Sequence, residues 1–600
     1  MKKYFPFLMV LLLAIACGKT DPDTTIPGGT DGNLATTDGV IPDTPDADEE
    51  DNYGSTNFDR DITITFSESE DAAVQGDEKG IVTVSGNHVT VNNTTSEKVR
   101  YTLVGHTNDG SFKIAASQKK QAIVLNGVHL VNLSGAAINI QSGKRCFVYV
   151  NDANTLEDEG SSAYTVSGTE DQKGVLFSEG QLIFCGEGSL TVCAHNMVGK
   201  NGITSDDYIH ITDAPYIVVK CDPCAGHGIK GKDYVRISDL CTVEVYTGAD
   251  MKKGIISDDY VLIEGGNTYV TVSGGTAYDS EDAEYKGSAG VKADNYFAMT
   301  GGKLTILNTG NGGKGIHAGS YDFDPTDHKV ADSYISGGII DITVEGREQN
   351  DVSAKGIKVG WAIKDGTGDH AKVLANAGNL LIGGGKIKIS SLHGEGLESK
   401  GCLYISGGEL SVTSEADDAI NCQGQLDVTG GYVYAYSSAN DAMDSNHDMV
   451  LSGGYVLAIC TNGTPELGLD ANSEDGYRVY IKSGATVVSY GGIEGGFSAA
   501  QSVYSFSAAG NAWNALYGSN GYLCAFKSPS SGVSTFAVSA PGLSSGYKSV
   551  SVSGATLCEE AWAVEGISGG TSVTLGTYSS GGQGGGGNPP GGNPPGWHKP

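Results

Sequence analysis

From about residue 137 onward one pattern keeps returning: a small residue, an apolar residue, three or four polar residues, then a strand ending in Gly-Gly. The clearest copy is Gly254-Ile-Ile-Ser-Asp-Asp-Tyr-Val-Leu-Ile-Glu-Gly-Gly266. Gly290 to Gly302, Gly396 to Gly408, Ala419 to Gly431 and Ala442 to Gly454 repeat it without a gap. In all five the first Gly of the pair lies eleven residues after the small residue that starts the copy. A fixed period specifies a stack of similar units, and a stack sets residues from distant parts of the chain side by side.

Twelve starts can be aligned, at Ala137, Gly174, Gly202, Gly228, Gly254, Gly290, Gly315, Gly356, Gly396, Ala419, Ala442 and Gly468, with uninterrupted spacings of 23 to 28 residues. Three strands of about five residues and three turns need that length. The spacing predicts an all-β chain: a parallel β-helix of about 12 rungs, right-handed by the general bias of parallel crossovers, with a short C-terminal β cap or module. The blades of a β-propeller are longer, typically about 40 to 50 residues. A sustained apolar period of 3.6 is missing, so almost no helix is expected. Gly, 89 of 600 residues, is about twice its usual share and falls mostly in the Gly-Gly turns and the C-terminal tail.

The N-terminus reads as a targeting segment. Met1-Lys-Lys3 is a basic start, Phe5 to Ile15 an apolar core, and Ala14-Ile-Ala-Cys17 a cleavage site. Cys after small residues is similar to a bacterial lipobox, in which the Cys is lipidated after cleavage; an ordinary signal peptide is the alternative. The expected layout is a lipoprotein signal peptide at 1–16, a lipid anchor at Cys17 with a disordered acidic linker to residue 58, and a β-helix at 59–489. A C-terminal β cap or module at 490–578 and a disordered Gly/Pro tail at 579–600 complete it. No other segment is long and apolar enough to span a membrane. Longer spacings place insertions at 151–173, 276–289, 320–334 and 361–379, which carry Tyr278, Tyr285, Tyr321, Phe323 and Trp361. Inserted loops of a solenoid tend to rim its binding face, which makes Trp361 a candidate sugar contact. Cys221-Asp-Pro-Cys224 has zinc-like spacing, but no second pair follows; a turn disulfide or two core thiols is the expectation.

The formal charge of −33 repels nucleic acid and anionic membrane surfaces, so no nucleic acid partner is expected. Reading the repeat as columns sorts the charges. Around the last starts, the residues before and two after are Glu395 and Glu398, Asp418 and Asn421, Asp441 and Asp444, then Leu467 and Asp470, with Asp417 adjoining. Carboxylates stacked about 4.8 Å apart repel unless they are protonated or share a cation. Calcium takes six to eight oxygens in irregular geometry. A calcium site is therefore expected at Asp417, Asp418, Asn421, Asp441 and Asp444; a solvated acidic edge is the alternative. Asp206, Asp207, Asp233, Asp258, Asp259, Asp294 and Asn295 recur where turns enter strands, and turn chemistry accounts for them about as well. Lys230, Lys292 and Lys358, with His317 between, and Lys253, Lys314 and Lys355 form a basic strip that either faces sugar carboxylates or neutralises nearby Asp. Tyr432, Tyr434 and Tyr436 share one strand face, and the next rung sets Tyr455 beside Tyr432. If exposed, they make a platform for pyranose rings; if not, the C-terminal module covers them. No phosphate loop or His-Glu-x-x-His is present, and carboxylate pairs are too abundant for any one to be informative.

Asn108-Asp-Gly-Ser-Phe-Lys-Ile114, Ile123-Val-Leu-Asn-Gly-Val-His-Leu130 leading to Gly135-Ala-Ala-Ile138, and the repeated Gly-Ile-x-Ser-Asp-Asp-Tyr and Asp-Asp-Ala-Ile forms carry a resemblance over roughly 60 to 485. They resemble a family of bacterial extracellular carbohydrate-binding proteins built on a pectate-lyase-like right-handed β-helix. The resemblance implies binding of cellulose or pectin-like acidic polysaccharide, with calcium ions carried by the helix. The family's Asp-Asp-Gly-Ile rung is here Asp417-Asp-Ala-Ile420 and Asn440-Asp-Ala-Met443, whereas Met251-Lys-Lys-Gly254 replaces the acidic pair, which concentrates calcium near 417–444. The lipobox and acidic spacer resemble those of surface lipoproteins of Gram-negative bacteria. The expected function is non-catalytic polysaccharide binding at the outer membrane or cell surface. A calcium-dependent pectate-type lyase is the first alternative and a structural adhesin the second. No lysine stands in the matching columns of the rungs at 419, 442 or 468, which counts against the lyase.

Overall fold

The computed structural model describes residues 39–580 apart from 160–163, 165–169, 320–330, 366–371, 531–533 and 560; of 362–365, 372–377 and Ser534 it describes the backbone alone. The leader at 1–16, the lipidation candidate Cys17, the tail from residue 581, and Tyr321 and Phe323 lie outside the described residues. Among the described residues the only helical turns are the single 3-10 turns Glu49–Asp51 and Ser473–Asp475. The chain is all-β, with long parallel ladders of the β-helix kind.

Three ladders run along the stack. One starts with Arg60–Phe66 against Val99–Thr107 and continues through Ala153–Asp158 and Ser189–Ala194 to Thr486–Tyr490. A second runs from Cys146–Asn151 through Leu182–Gly186 to Val479–Ile481. The third is a sheet of fifteen strands from Val82–Ser85 to Leu469–Ala471, parallel except for its first pair. Alternation explains the sorting: Ile62, Ile64 and Phe66 are buried while the residues between them face outward. In the fifteen-stranded sheet, Ile203, Ile229, Ile255, Val291, Ile316 and Ile357 pair rung to rung and form one wall of the core. Each such side chain contributes about 1.5–3 kcal/mol by burial.

The small starts are a packing requirement. A Cβ on Gly254 would meet Val270 Cγ1 at 2.2 Å and the Gly290 carbonyl at 2.8 Å. The second Gly of each pair takes positive φ, +65° at Gly266 and +78° at Gly431, which closes the turn without strain. From Gly202 onward the predicted starts lie in the register the columns assumed; Gly174 is one residue out, because it pairs with Asn201 and Val175 is the residue level with Ala137 and Gly202.

Three expectations need correction. Residues 153–158, placed inside the first insertion, form a ladder strand paired with His129 to Asn132 and with 189–193. The linker expected to be disordered to residue 58 is in place from residue 39 and lies along the second ladder as a strap. Gly39 lies against Tyr404, Ile41 beside Gly383, the Tyr334 hydroxyl bonds Thr44 at 3.4 Å, and Arg236 donates to the Pro45 carbonyl at 2.9 Å. Buried Asp51 accepts from the Tyr208 hydroxyl at 2.7 Å and pairs with His210 and Arg145, each at 2.9 Å. Few large apolar residues are needed because charge pairs and aromatic edges hold the strap. Beneath it Tyr208, Tyr234, Tyr260 and Tyr296 stack face to face, 4.3–5.0 Å between centroids, one per rung. Trp361 is the third correction: it opens the strand Trp361–Asp365 directly after Gly360 and is buried, not displayed on a rim.

After Tyr490 the first ladder turns antiparallel, while the second adds one last parallel pair, Val479–Ile481 with Ser498–Ala499. Ser534–Ser539 pairs antiparallel with Thr486–Tyr490, and Trp513–Gly518, Gly521–Lys527 and Leu543–Val552 form an antiparallel sheet. Its core of Phe506, Phe526, Phe536 and Trp562 packs on the tyrosine face of the helix.

Candidate functional site

The outer face of the fifteen-stranded sheet carries a polar column interrupted only at Ile256. Register sets Lys230, Ile256, Lys292, His317, Lys358, Glu398, Asn421, Asp444 and Asp470 one above the next. A parallel column holds Lys253, Ala289, Lys314 and Lys355 and is continued by Glu395, Asp418 and Asp441. The column is basic over its first half and acidic over its second.

Local chemistry sets each acidic turn. The strand Glu409–Ser414 ends on a serine whose Oγ accepts from Asp417 N at 3.0 Å, and Ser437 does the same for Asn440 N at 3.0 Å. That turn aims Asp417, Asp418, Asn440 and Asp441 along one edge. Asp418 Oδ1 accepts from Asp441 N at 3.0 Å and its Oδ2 from Asn421 Nδ2 at 3.0 Å. Burial, then the charges of Asp444, Asp417 and Asp441, push the Asp418 carboxyl well above its ordinary range. Burial first and neighbouring carboxylates second raise Asp441 to about 7, Asp444 to about 6 and Asp470 to about 9. At neutral pH the stack must therefore hold protons or a cation. Asn421 Oδ1 is buried in its midst with no hydrogen-bond partner among the described residues. The sequence missed Glu494, which raises Asp441 and Asp470 from a loop beyond the repeat.

In the basic half the same burial acts in the opposite direction. It pulls Lys314 down to about 7 and Lys358 to about 8, with other lysines adding to the effect. Lys253 and His317 are driven well below their ordinary values, burial first and adjacent lysines next. The His227 ring, also pushed down by burial, accepts from Lys253 N at 3.0 Å through Nδ1. At the lower rungs the strip neutralises turn carboxylates: Lys230 pairs with Asp258 at 3.1 Å, Lys173 with Asp206 and Lys292 with Asp294. Where the halves meet, Lys355 pairs with Glu395 and Glu398, and Lys400 with Glu398.

The turn aspartates behave as turn residues. Asp207 Oδ1 accepts from Tyr208 N at 2.9 Å and Asp259 Oδ1 from Asn295 Nδ2 at 2.8 Å. The tyrosine platform is not an open surface. Tyr432 and Tyr455 do stack at 4.7 Å, but Trp562 meets Tyr455 edge-on at 5.8 Å. Trp562 Nε1 donates to the Val433 carbonyl at 3.2 Å. Tyr432, Tyr434, Tyr436 and Tyr455 are half-buried against the C-terminal module and form its floor. Cys221 is buried and Cys224 exposed, and the eleven described cysteines are free thiols.

A family model described as carbohydrate-binding domain-containing protein matches residues 85–373 and 365–515. No curated protein matches the chain. A solved structure, that of the polysaccharide lyase-like protein from C. thermocellum in a gadolinium derivative, is similar at 21% identity with a TM-score of 0.30, covering 50% of this chain and 96% of that one. The family match spans well over half of the sequence and includes the whole polar column, and the chain belongs to the carbohydrate-binding domain-containing protein family.

Proposed function

We propose that this protein binds polysaccharide without cleaving it, on a β-helix stabilised by calcium, and that it does so at the cell surface. The observation that supports this best is the polar column itself. It runs parallel to the stack axis, as a groove for a linear polymer would, and it ends in carboxylates that have no ion-pair partner among the described residues. Asp417, Asp418, Asn421, Asp441 and Asp444 would hold calcium. Their donors are hard oxygens, and the buried, unpartnered Asn421 Oδ1 fits a neutral ligand. Among the described residues no three of these carboxylates lie within 4.8 Å of one another, so the ion would have to draw them in. Bound calcium supplies positive charge, both as a staple between rungs and as a bridge to sugar carboxylates. The architecture that goes with this reading is a right-handed coil of about 12 rungs, closed by residues 490–578. Cleavage before Cys17 and lipidation of that residue would anchor it at the outer membrane of a Gram-negative bacterium. Calorimetric titration of the chelated protein, followed by a glycan array with and without chelator, is the test. Absence of calcium heat together with an unchanged melting temperature removes the calcium; an array blank in both conditions removes the polysaccharide.

A second reading, a calcium-dependent lyase of acidic polysaccharide, has one observation in its favour. Lys358, held near neutrality with a pKa of about 8, stands two rungs from Asn421 in the same column. A lysine poised in that way can take a proton from the carbon beside a uronate carboxylate. Ultraviolet absorbance of unsaturated uronides released from pectin in calcium decides between the two, and product formation would replace the first reading with the second.

A further inference from the structure

The outward face of the first ladder brings together a set of side chains that the polar column does not use. Glu157 on Ala153–Asp158 is the direct neighbour of Cys193 on Ser189–Ala194. His195 follows two residues after Cys193 and so returns to the same face. The carboxylate oxygen, the thiol sulfur and a ring nitrogen of these three all lie within 4.8 Å of one another. They are half-exposed: the side chain of His195 retains 39% of its accessible surface and that of Glu157 25%.

Two details orient the set. His195 Nδ1 lies 3.0 Å from Asp222 Oδ2, one rung further on. That contact calls for a proton on Nδ1, which leaves Nε2 as the lone-pair nitrogen of the neutral ring. A carboxylate behind a histidine in this way fixes ring and tautomer for a metal on the other nitrogen. Nε2 in turn lies 3.4 Å from Glu157 Oε2. This is long for a charged hydrogen bond and close to the roughly 3.4 Å that separates N and O ligands each about 2.0–2.1 Å from one tetrahedral ion. On the far side His129 Nε2 holds the other Glu157 oxygen at 3.0 Å.

We propose that Glu157, Cys193 and His195 form a surface site for zinc, with Asp222 and His129 as positioning residues and a fourth position open to water. One thiolate, one imidazole and one carboxylate suit zinc and other late first-row divalent ions; calcium, which prefers oxygen, is selected against. Binding converts the Cys193 thiol to thiolate and releases its proton to solvent, so the two anionic ligands balance the ion's charge. The site stands apart from the acidic stack and does not depend on the polysaccharide reading.

Cobalt(II) titration of the whole, chelator-stripped chain in excess calcium tests this, because a thiolate ligand gives cobalt a near-ultraviolet charge-transfer band that carboxylates cannot. One equivalent should produce the band. Cys193→Ser and His195→Ala should each abolish it, Cys224→Ser should leave it intact, and Asp222→Asn should weaken cobalt affinity by about 10- to 100-fold. Zinc should displace the cobalt. A missing band in the natural sequence overturns the site, and so does a band that survives Cys193→Ser; circular dichroism of both site variants confirms that each is folded.

Discussion

The Lys355 ammonium lies 2.8 Å from Glu398 Oε2, at the rung where the polar column changes sign. Both side chains are buried, and Lys400 and Glu395 complete the cluster. Burial alone would raise the Glu398 carboxyl, but the ammoniums of Lys355, Lys400 and Lys358 outweigh it and hold the pKa low. Without this cluster the lysines would face the acidic stack with no graded transition.

Lys355→Met should therefore be strongly destabilising, by about 3–5 kcal/mol, because it strands buried carboxylates without their partner. Adding Glu398→Gln to that variant should restore part of the loss. Denaturant midpoints of the single and double variants measure it, and additive effects would show that the two residues do not act as a pair.

Asp444→Asn should act with opposite sign on the two forms of the protein. The new side chain matches Asn421 directly above it and removes one charge from a crowded, buried set. Melting of the chelated protein should rise, while calcium affinity should fall by at least about tenfold as a charged ligand is lost. A variant whose melting temperature falls in chelator would contradict the account of the stack.

Lys314 predicts an alkaline gain in stability. Its folded pKa is about 7 against an ordinary lysine value of 10.5, lowered by burial and then by Lys358 and Lys355, with Glu398 and Glu284 opposing. Its Nζ donates to the Gly312 carbonyl at 3.3 Å. Between those two pKa values the unfolded chain holds a proton that the folded one has lost. Stability should therefore rise with pH across that window, at up to about 1.4 kcal/mol per unit. Lys314→Met should flatten the slope and raise the melting temperature near pH 7, as followed by thermal melts at stepped pH.

Trp562→Ala should cost about 3–5 kcal/mol of stability in the C-terminal module. It removes the indole that sits on Tyr455 and bonds Val433. Thermal melts should show the module loosening, with new binding of a hydrophobic dye at the uncovered tyrosines. Gain of polysaccharide binding in this variant would show that the platform is functional once bared.

How far the sequence reaches can be seen residue by residue. Asn421 over Asp444 and Lys292 beside His317 were legible because a fixed period sets register, and register sets neighbours. The alternation of Tyr432, Tyr434 and Tyr436 gave the correct face, but alternation does not say what lies against a face, and there it is Trp562. Trp361 does lie in the inserted segment, in a hairpin paired with Ala377, but a long spacing locates extra residues without saying which of them are buried. Glu157 against Cys193 escaped notice because an insertion interrupts the count between them. The strap from Gly39 to Asp51 resembles a linker in composition; its fit depends on Arg145, His210, Tyr208 and Arg236, which only the fold brings into line.

That strap changes the thermodynamics of the whole array. A solenoid touched only by adjacent units is a linear chain of couplings, free to fray from either end and to melt in stages. Here one short segment bonds Arg145 and Tyr208 near the start and reaches Tyr404 far along the stack. Opening the early units forfeits contacts with the late ones, and the energy of distant rungs becomes shared. The strap therefore ties a one-dimensional object into a more cooperative one, and the acidic and basic halves of its polar face hold their alignment together.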